Sequence, residues 1–389
     1  MFIRLMQHFD YIFAGFGLSG MTLFHELSKA PDFVNKTVLI VDRDAKNQND
    51  RTWSFWAEDD IDFQHLVKKQ WKRGDFHTMD GDHIPMHFQN YCYNTIEGVD
   101  FYDYMNDFVT QFAHVQRIQT DIISLNNQGE LNTASGQFSG DLVFRSYFDK
   151  TDFQSEKAQQ FVWQHFYGYV IKTKVPRFDA DTFSFMDYRY TNAKLTNFFY
   201  VLPYTSTEAL VEFTEFSAQL YTEEEYKIKV EKYINQNLGI TDYEIVHTEF
   251  NAIPMTNFQL PNVQSDHVLN IGSLAGYLKP SSGYGFTRTL ERNRKLALAI
   301  IAGEKLTEKS LNSSGTYKAF DDAVLYLIAT NRIHGARIFA SLFKARGADF
   351  VFRFLDEKLN AWGLFLVTLS SPKKWEFIRY FILRFMRRL

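Results

Sequence analysis

Four stretches of this chain carry residue types at spacings that can do chemistry. The first is Gly15-Phe16-Gly17-Leu18-Ser19-Gly20. It ends a short apolar run, DYIFAGF, and opens an apolar pattern of helical period over residues 17–30, closed by Pro31. A second buried run, TVLIVD, ends in Asp42. Glycines at such a strand-to-helix turn let the backbone approach a pyrophosphate, which sits at the positive helix N-terminus. Asp42 follows about twenty residues later, where a carboxylate accepts hydrogen bonds from a ribose. An acid there favours an adenosine ribose without a 2'-phosphate, as in FAD or NAD. The alternative is a tight glycine turn with no ligand.

The second stretch is Asp50-Arg51-Thr52-Trp53-Ser54-Phe55-Trp56. Arg51 can pair with a phosphate and the Trp rings can wall a flat ligand. The same residues also read as a surface turn with buried aromatics, and their chemistry does not choose. The third runs from Gly272 to Phe286, GSLAGYLKPSSGYGF, after the buried run VLNIG and before a long helix. Gly272, Gly276, Ser282 and Gly283 bring backbone N–H groups to an anion or a flavin edge. A second glycine-rich loop late in the chain fits flavoproteins better than simple NAD dehydrogenases.

The fourth is Leu210-Val211-Glu212-Phe213-Thr214-Glu215-Phe216-Ser217. On a strand, Glu212 and Thr214 share one face, and Val211, Phe213 and Glu215 share the other. A carboxyl buried among aromatics keeps its proton and becomes a proton donor near neutral pH. By spacing alone, an exposed strand glutamate is the simpler reading.

These stretches must be held by a strand–turn–helix–strand unit, returning strands and a separate sheet. Residues 100–118 have a helical pattern, and residues 120–144 break into short strands at Asn126, Gly129 and Gly136. From about 160 to 220, aromatic runs alternate with polar residues, which reads as an antiparallel sheet. Residues 223–237 form a charged helix, a helix follows from about Thr287, and residues 316–389 are mostly helical by period. The expected class is α/β: a Rossmann-like FAD-binding domain with an inserted antiparallel substrate sheet and a helical C-terminus. The divisions fall at 8–150, 151–260, 261–310 and 311–389.

Composition removes several classes. The chain has 389 residues, 42 basic and 46 acidic, for a net charge of -4, which argues against a nucleic-acid binder. Its one cysteine, Cys92, cannot form an internal disulfide or a thiolate metal site, and no metal is expected. Nothing reads as a signal peptide, and no apolar run reaches the ~18 residues of a spanning helix. Aromatic content is 17%, with 39 Phe, 21 Tyr and 6 Trp, enough to line a large apolar site as well as a core. From Lys373 on, Lys374, Arg379, Arg384, Arg387 and Arg388 interleave with Trp375, Ile378, Phe381, Ile382, Phe385 and Leu389. Such a helix either docks on a core with a solvated basic face or lies in an anionic bilayer surface.

Taken together, DYIFAGFGLSG, VDRDAKNQNDRTWSFW, WQHFYGYVIKT, FMDYR, FFYVLPYTSTEALVEFTEFS and IGSLAGYLKPSSGYGF resemble the FAD-dependent lycopene cyclases of bacteria and plants. The DRTW segment and the late glycine-rich segment carry the specific part of the likeness. In that family the strand motif has two adjacent acids followed by Thr. Here Glu212 takes the first position, Phe213 the second and Thr214 the third, so the resemblance supplies one acid. It implies that Glu212 protonates and deprotonates lycopene, giving gamma-carotene and then beta-carotene without net redox change. Reduced FAD is the implied cofactor, NAD(P)H the electron source, and the cytoplasmic face of the cell membrane the location. The implied contacts are carotenoids and lipid, not nucleic acid. A flavin-dependent isoprenoid reductase or hydroxylase of the same fold is the alternative.

Overall fold

Two kinds of apolar pattern build two kinds of sheet. Runs that are apolar at every position, such as Val38-Leu39-Ile40-Val41, are covered on both faces and pair in parallel. Alternating aromatic runs pair antiparallel. The computed structural model describes residues 6–58, 61–148, 160–190, 195–311 and 315–386, with side chains to residue 382.

Along the chain the strands are β1 (Gln7–Ala14), β2 (Val38–Asp42), β3 (Thr52–Ala57), β4 (Lys69–Trp71), β5 (Arg73–His77), β6 (His83–His87), β7 (Cys92–Glu97), β8 (Val115–Gln119), β9 (Ile122–Leu125), β10 (Glu130–Thr133), β11 (Gly136–Arg145), β12 (Phe161–Lys172), β13 (Thr182–Asp187), β14 (Thr196–Pro203), β15 (Glu208–Ser217), β16 (Glu244–Thr256) and β17 (Val268–Asn270). The longer helices are α1 (Leu18–Leu27), α2 (Gly98–Thr110), α3 (Glu223–Gln236), α4 (Phe286–Ile301), α5 (Gly315–Ala329), α6 (Gly335–Arg346), α7 (Ala348–Leu355), α8 (Ala361–Ser370) and α9 (Lys374–Met386).

The chain divides into two units. One comprises Met1–Gln48, Val99–Gln159 and Phe258–Ser314; the other comprises Asn49–Gly98, Gln160–Asn257 and Gly315–Leu389. In the first, the sheet order is β8-β2-β1-β11-β10-β9, with β17 also beside β11. The strands β8, β2, β1, β11 and β17 run parallel, while β10 and β9 fold back antiparallel. Phe9, Ile12, Leu39, Val41, Val143 and Val268 form an apolar cluster on this sheet. The helix expected over 100–118 is corrected here: α2 ends at Thr110, and Val115–Gln119 is an edge strand beside β2. Val115 and Ile118 sit at helical spacing, but the open edge of β2 gives their backbone a parallel partner, and pairing overrides local period.

The second unit holds a seven-stranded sheet in the order β16-β12-β15-β14-β13-β5-β6, antiparallel except where β13 meets β5. One face carries Tyr167, Phe199, Val211 and Phe213, which pack on Tyr226, Val230, Tyr233 and Ile234 of α3. A reciprocal pair of bonds between Thr222 and Glu225 caps that helix. On the other side, Phe185 of β13 meets Phe343 of α6 and Phe352 of α7 at 5.6 and 5.8 Å between ring centroids. A separate three-stranded sheet, β3-β7-β4, also belongs to this unit. The DRTW segment is therefore not a turn: Thr52–Ala57 is a strand, paired with β7 from end to end.

Candidate active site

Glu212 projects from β15 away from α3, on the face it shares with Leu210, Thr214 and Phe216. It is only 9% exposed, so the exposed-strand reading fails. Directly opposite it on β14 stands Tyr200, and opposite Thr214 stand Phe198 on β14 and Phe166 on β12, all buried. Tyr200 touches Phe198 at 5.1 Å and Phe185 at 5.9 Å. Glu215 faces the other way, where Asn197 and the Tyr221 hydroxyl donate to it at 2.9 and 2.7 Å.

On the other neighbour of Glu212 there is no side chain. Gly168 of β12 pairs with Glu212 on one side and with Glu249 of β16 on the other. A Cβ on Gly168 would lie 3.2 and 3.3 Å from the Cβ and Cγ of Glu212, tighter than ordinary contact. The gap lets the two carboxyls lean across the middle strand into hydrogen-bonding reach. The Thr214 hydroxyl donates to Glu212 Oε1 at 3.1 Å, and the Thr52 hydroxyl donates to Glu249 Oε2 at 2.8 Å. Burial, then the charge of Glu249, holds the Glu212 carboxyl well above the usual carboxylate range. Burial raises Glu249 as well, but its bonds with Glu212 and Thr52 act against that rise. Both carboxyls are thus held above their usual range, and Glu212 is the one that no bond with Glu249 lowers.

In the first unit, each fingerprint glycine has its own steric reason. Gly15 has φ +89°, and a Cβ there would fall 2.6 Å from Ser146 Oγ. A Cβ on Gly20 would sit 2.7 Å from the Gly15 carbonyl oxygen, so this glycine permits close helix–strand packing. Nothing lies within 4 Å of the Cβ position of Gly17. That open space faces the start of α1, which has no side-chain cap on its first-turn amides. Asp42 accepts from Phe16 N at 2.6 Å and from Asp44 N at 2.8 Å, which puts its carboxylate beside the glycine turn.

The late loop lies next to the same turn. A Cβ on Gly272 would fall 3.1 Å from Ser19 Cβ, and Asn293 of α4 donates to Ser19 O at 2.7 Å and to Thr22 Oγ1 at 2.6 Å. Gly276 and Gly283 both have positive φ, 70° and 73°. Gly283 N and Ser282 N donate back to Lys279 O, at 2.8 and 3.2 Å. Ser282 Oγ is buried without a hydrogen-bond partner among the described residues. An uncapped helix start, an open glycine and an orphaned hydroxyl make a cradle that fits a dinucleotide.

A family model described as lycopene cyclase protein matches residues 10–376. The chain belongs to the lycopene cyclase family. Lycopene beta cyclase of Narcissus pseudonarcissus is 29% identical over 180 residues, 43% of this chain and 34% of that protein. The Arabidopsis thaliana lycopene beta cyclase is 30% identical over 167 residues, 40% of this chain and 32% of that protein. The aligned stretch thus spans about a third of the length of these plant relatives. Among solved structures, a flavin-dependent brominase has a TM-score of 0.63 at 12% identity, covering 98% of this chain and 100% of that one. A flavoprotein/dehydrogenase from Cytophaga hutchinsonii scores 0.60 at 15% identity, covering 94% and 99%. At these identities the likeness shows the fold, the Rossmann-like α/β fold of FAD-dependent oxidoreductases.

Within this cyclase-family chain, the DRTW segment touches the acid pair through Thr52. Arg51 instead pairs with the neighbouring Asp50, and its carbonyl accepts from Gly98 N at 2.8 Å. Trp56 stacks on Phe352 at 4.7 Å and donates to Asp356 at 2.6 Å. Sequence reasoning missed Glu249, Thr52 and Gly168. The signal for the last was available: a lone glycine inside an aromatic strand marks a close approach. Asp75, His77 and His83 also place three ligand atoms within 4.8 Å of one another on the β5–β6 hairpin, where no metal had been expected. His83 bonds Asp75 there at 2.7 Å.

The C-terminal tail is partly docked. Phe377 is buried and Phe381 meets Phe320 of α5 at 5.2 Å, while Trp375 and Ile382 stay exposed. The helix before it, α8, also exposes Trp362, Phe365 and Leu369, spaced along one side. Arg387, Arg388 and Leu389, and the side chains of Arg384 and Phe385, lie outside the described residues. Among the described residues no helix is long and apolar enough to cross a membrane.

Proposed function

We propose that this chain is a lycopene beta-cyclase, an isomerase that closes the linear ends of lycopene to β-ionone rings. The observation that carries this reading is Glu212: a buried carboxyl, held well above the usual carboxylate range, on an aromatic-walled sheet face in a chain of the lycopene cyclase family. Glu212 gives its proton to the terminal double bond of the polyene. The cation formed is attacked by the neighbouring internal double bond, which closes the ring. A ring carbon then returns a proton to the Glu212 carboxylate, leaving the new ring double bond. Substrate and product are isomers, gamma-carotene after one end and beta-carotene after both. The faces of Tyr200, Phe198 and Phe166 offer negative quadrupoles to the passing cation, and their burial keeps water from trapping it.

Gly15, Gly17, Gly20 and Asp42, with Gly272, Gly276, Ser282 and Gly283, would hold FAD. Held there and reduced by NAD(P)H, FAD would supply the negative charge that stabilises a carbocation. Asp42 would orient the adenosine ribose, and the first-turn amides of α1 would take the pyrophosphate.

Lycopene dissolves in lipid, so the protein must meet a bilayer. Trp362, at 65% exposed, and Trp375, at 72%, sit with Phe365, Leu369 and Ile382 near the exposed Lys373, Lys374 and Arg379. Apolar rings beside basic side chains suit the surface of an anionic membrane, here the cytoplasmic face.

The test is turnover by purified protein on lycopene in anionic vesicles with reduced FAD. The reading expects a cyclic isomer and no stoichiometric loss of reductant. Reductant consumed one-for-one with product would replace it with an isoprenoid reductase.

A further inference from the structure

We propose that Glu249 is the proton-sharing partner of Glu212, so that the acid of this site is a carboxyl–carboxylate pair drawn from two strands. The inference rests on Glu212 being the proton donor of the proposed reaction. Its grounds are geometric. Glu249 is 2% exposed, and its Oε2 is taken by the Thr52 hydroxyl. Its Oε1 is buried and meets no donor among the described residues. Glu212 has the complementary need. Thr214 serves its Oε1, which leaves Oε2 for the proton. One proton shared between Glu212 Oε2 and Glu249 Oε1 satisfies both oxygens at once. Gly168 stands between the two acids in the sheet register, and a Cβ there would crowd the Glu212 side chain at 3.2 Å.

The other polar groups about the pair do not supply that proton. The Tyr204 phenol precedes β15 and stays protonated through burial. Glu97 of β7 is ion-paired with Lys68 at 2.9 Å, and Lys68 also lies over the Tyr204 ring at 4.2 Å. The influence of His247 of β16 on Glu249 favours its ionised form.

The pair gives Glu249 a positioning role. At rest it carries one proton and one negative charge. When Glu212 protonates the polyene, its O–H bond breaks and a C–H bond forms from the alkene electron pair. Two adjacent carboxylates then face one carbocation, and total charge is unchanged. Their repulsion makes the pair a strong base at the moment the ring must lose its proton. The ring C–H bond breaks, its electrons become the ring double bond, and the proton returns to Glu212. Glu249 thus keeps Glu212 protonated for the first half of the cycle and makes it a stronger base for the second, without touching carbon.

The test compares wild type with Glu249→Gln, Glu249→Asp and Glu212→Gln, each checked for folding. Glu249→Gln removes the like charge, so the alkaline limb of kcat against pH should move at least about one unit toward acid. Glu249→Asp keeps the charge and should restore the limb toward its wild-type position. A lower kcat with an unmoved limb in Glu249→Gln means a merely structural role and overturns the proposal. Infrared spectra without substrate separate this outcome from failure of the cyclase reading. At neutral pH the wild type should show a strongly hydrogen-bonded carboxylic C=O stretch that Glu212→Gln lacks. If Glu249→Gln does not fold, that band decides alone, and its absence from the wild type overturns the pair whether or not the protein cyclises lycopene.

Discussion

The hydroxyl of Thr52 donates to Glu249 at 2.8 Å, joining the DRTW strand to the acid pair on the large sheet. A hydrogen bond to an ionised group is worth roughly 1.5–3 kcal/mol. Thr52→Val should therefore slow cyclisation about tenfold or more, and Thr52→Ser, which keeps the donor, should stay near wild type. Steady-state kcat for the two variants checks this.

Gly168 should tolerate no side chain without loss of rate. Its backbone needs no special conformation, so the penalty of Gly168→Ala comes from the approach of its Cβ to Leu210 Cδ1 at 3.0 Å and to Glu212 Cβ at 3.2 Å. A shift of a few tenths of an ångström should cut kcat several-fold, and Gly168→Val should cut it further, since misplacement by about 1 Å can cost about 100-fold. Flavin content should be unchanged in both. Equal kcat in wild type and Gly168→Val contradicts the geometry.

Stability should depend on pH through Glu212. Its folded carboxyl is raised above the unfolded value of 4.5, so the folded state binds this proton more tightly. That contribution is complete below the unfolded value and is lost as pH rises through the folded one. The melting temperature of the wild type should accordingly fall relative to Glu212→Gln as pH rises from the unfolded value through the raised folded one. Parallel melting curves for the two proteins over that range contradict the raised value.

Two fingerprint glycines should fail in different ways. Gly17 has empty space at its Cβ position, so Gly17→Ala should fold and melt normally but lose flavin. Gly20→Ala meets a backbone carbonyl oxygen at 2.7 Å and should lower the melting temperature itself. Asp42→Ala should weaken flavin retention without unfolding. Absorbance of bound flavin beside thermal melts distinguishes the three.

Membrane attachment should depend on the exposed rings of α8 and α9. Replacing Trp362 and Trp375 together with Ser should lower partitioning onto anionic vesicles by more than about tenfold, given ~1.5–3 kcal/mol per large apolar side chain buried. Co-sedimentation measures it. Unchanged binding removes this surface from the account.

What could be read in advance follows the range of the forces involved. Gly15, Gly17, Gly20 and Asp42 were legible because glycine sterics and a strand–helix–strand unit are local. The face of Glu212 was legible from the period of two along one strand. Glu249 was not, because it meets Glu212 only through the register of β12 with β16, and that pairing shifts between Val170 and Ile171. No local pattern encodes such a slip. Thr52 was passed over for Arg51 because charge is visible in a sequence, whereas a hydroxyl's partner on a distant strand is not. The end of the helix expected over 100–118 is a strand for the same reason: the neighbouring β2 supplies the deciding bonds.

The central claim is that Glu212 drives a redox-neutral ring closure. The direct measurement is expression of the chain and of Glu212→Gln in a lycopene-accumulating bacterium, with chromatographic identification of the carotenoids. The account predicts conversion of lycopene to beta-carotene by the wild type, and unchanged lycopene with folded, flavin-bearing protein for the variant. Unchanged lycopene with folded wild-type protein, or beta-carotene made by Glu212→Gln, contradicts it.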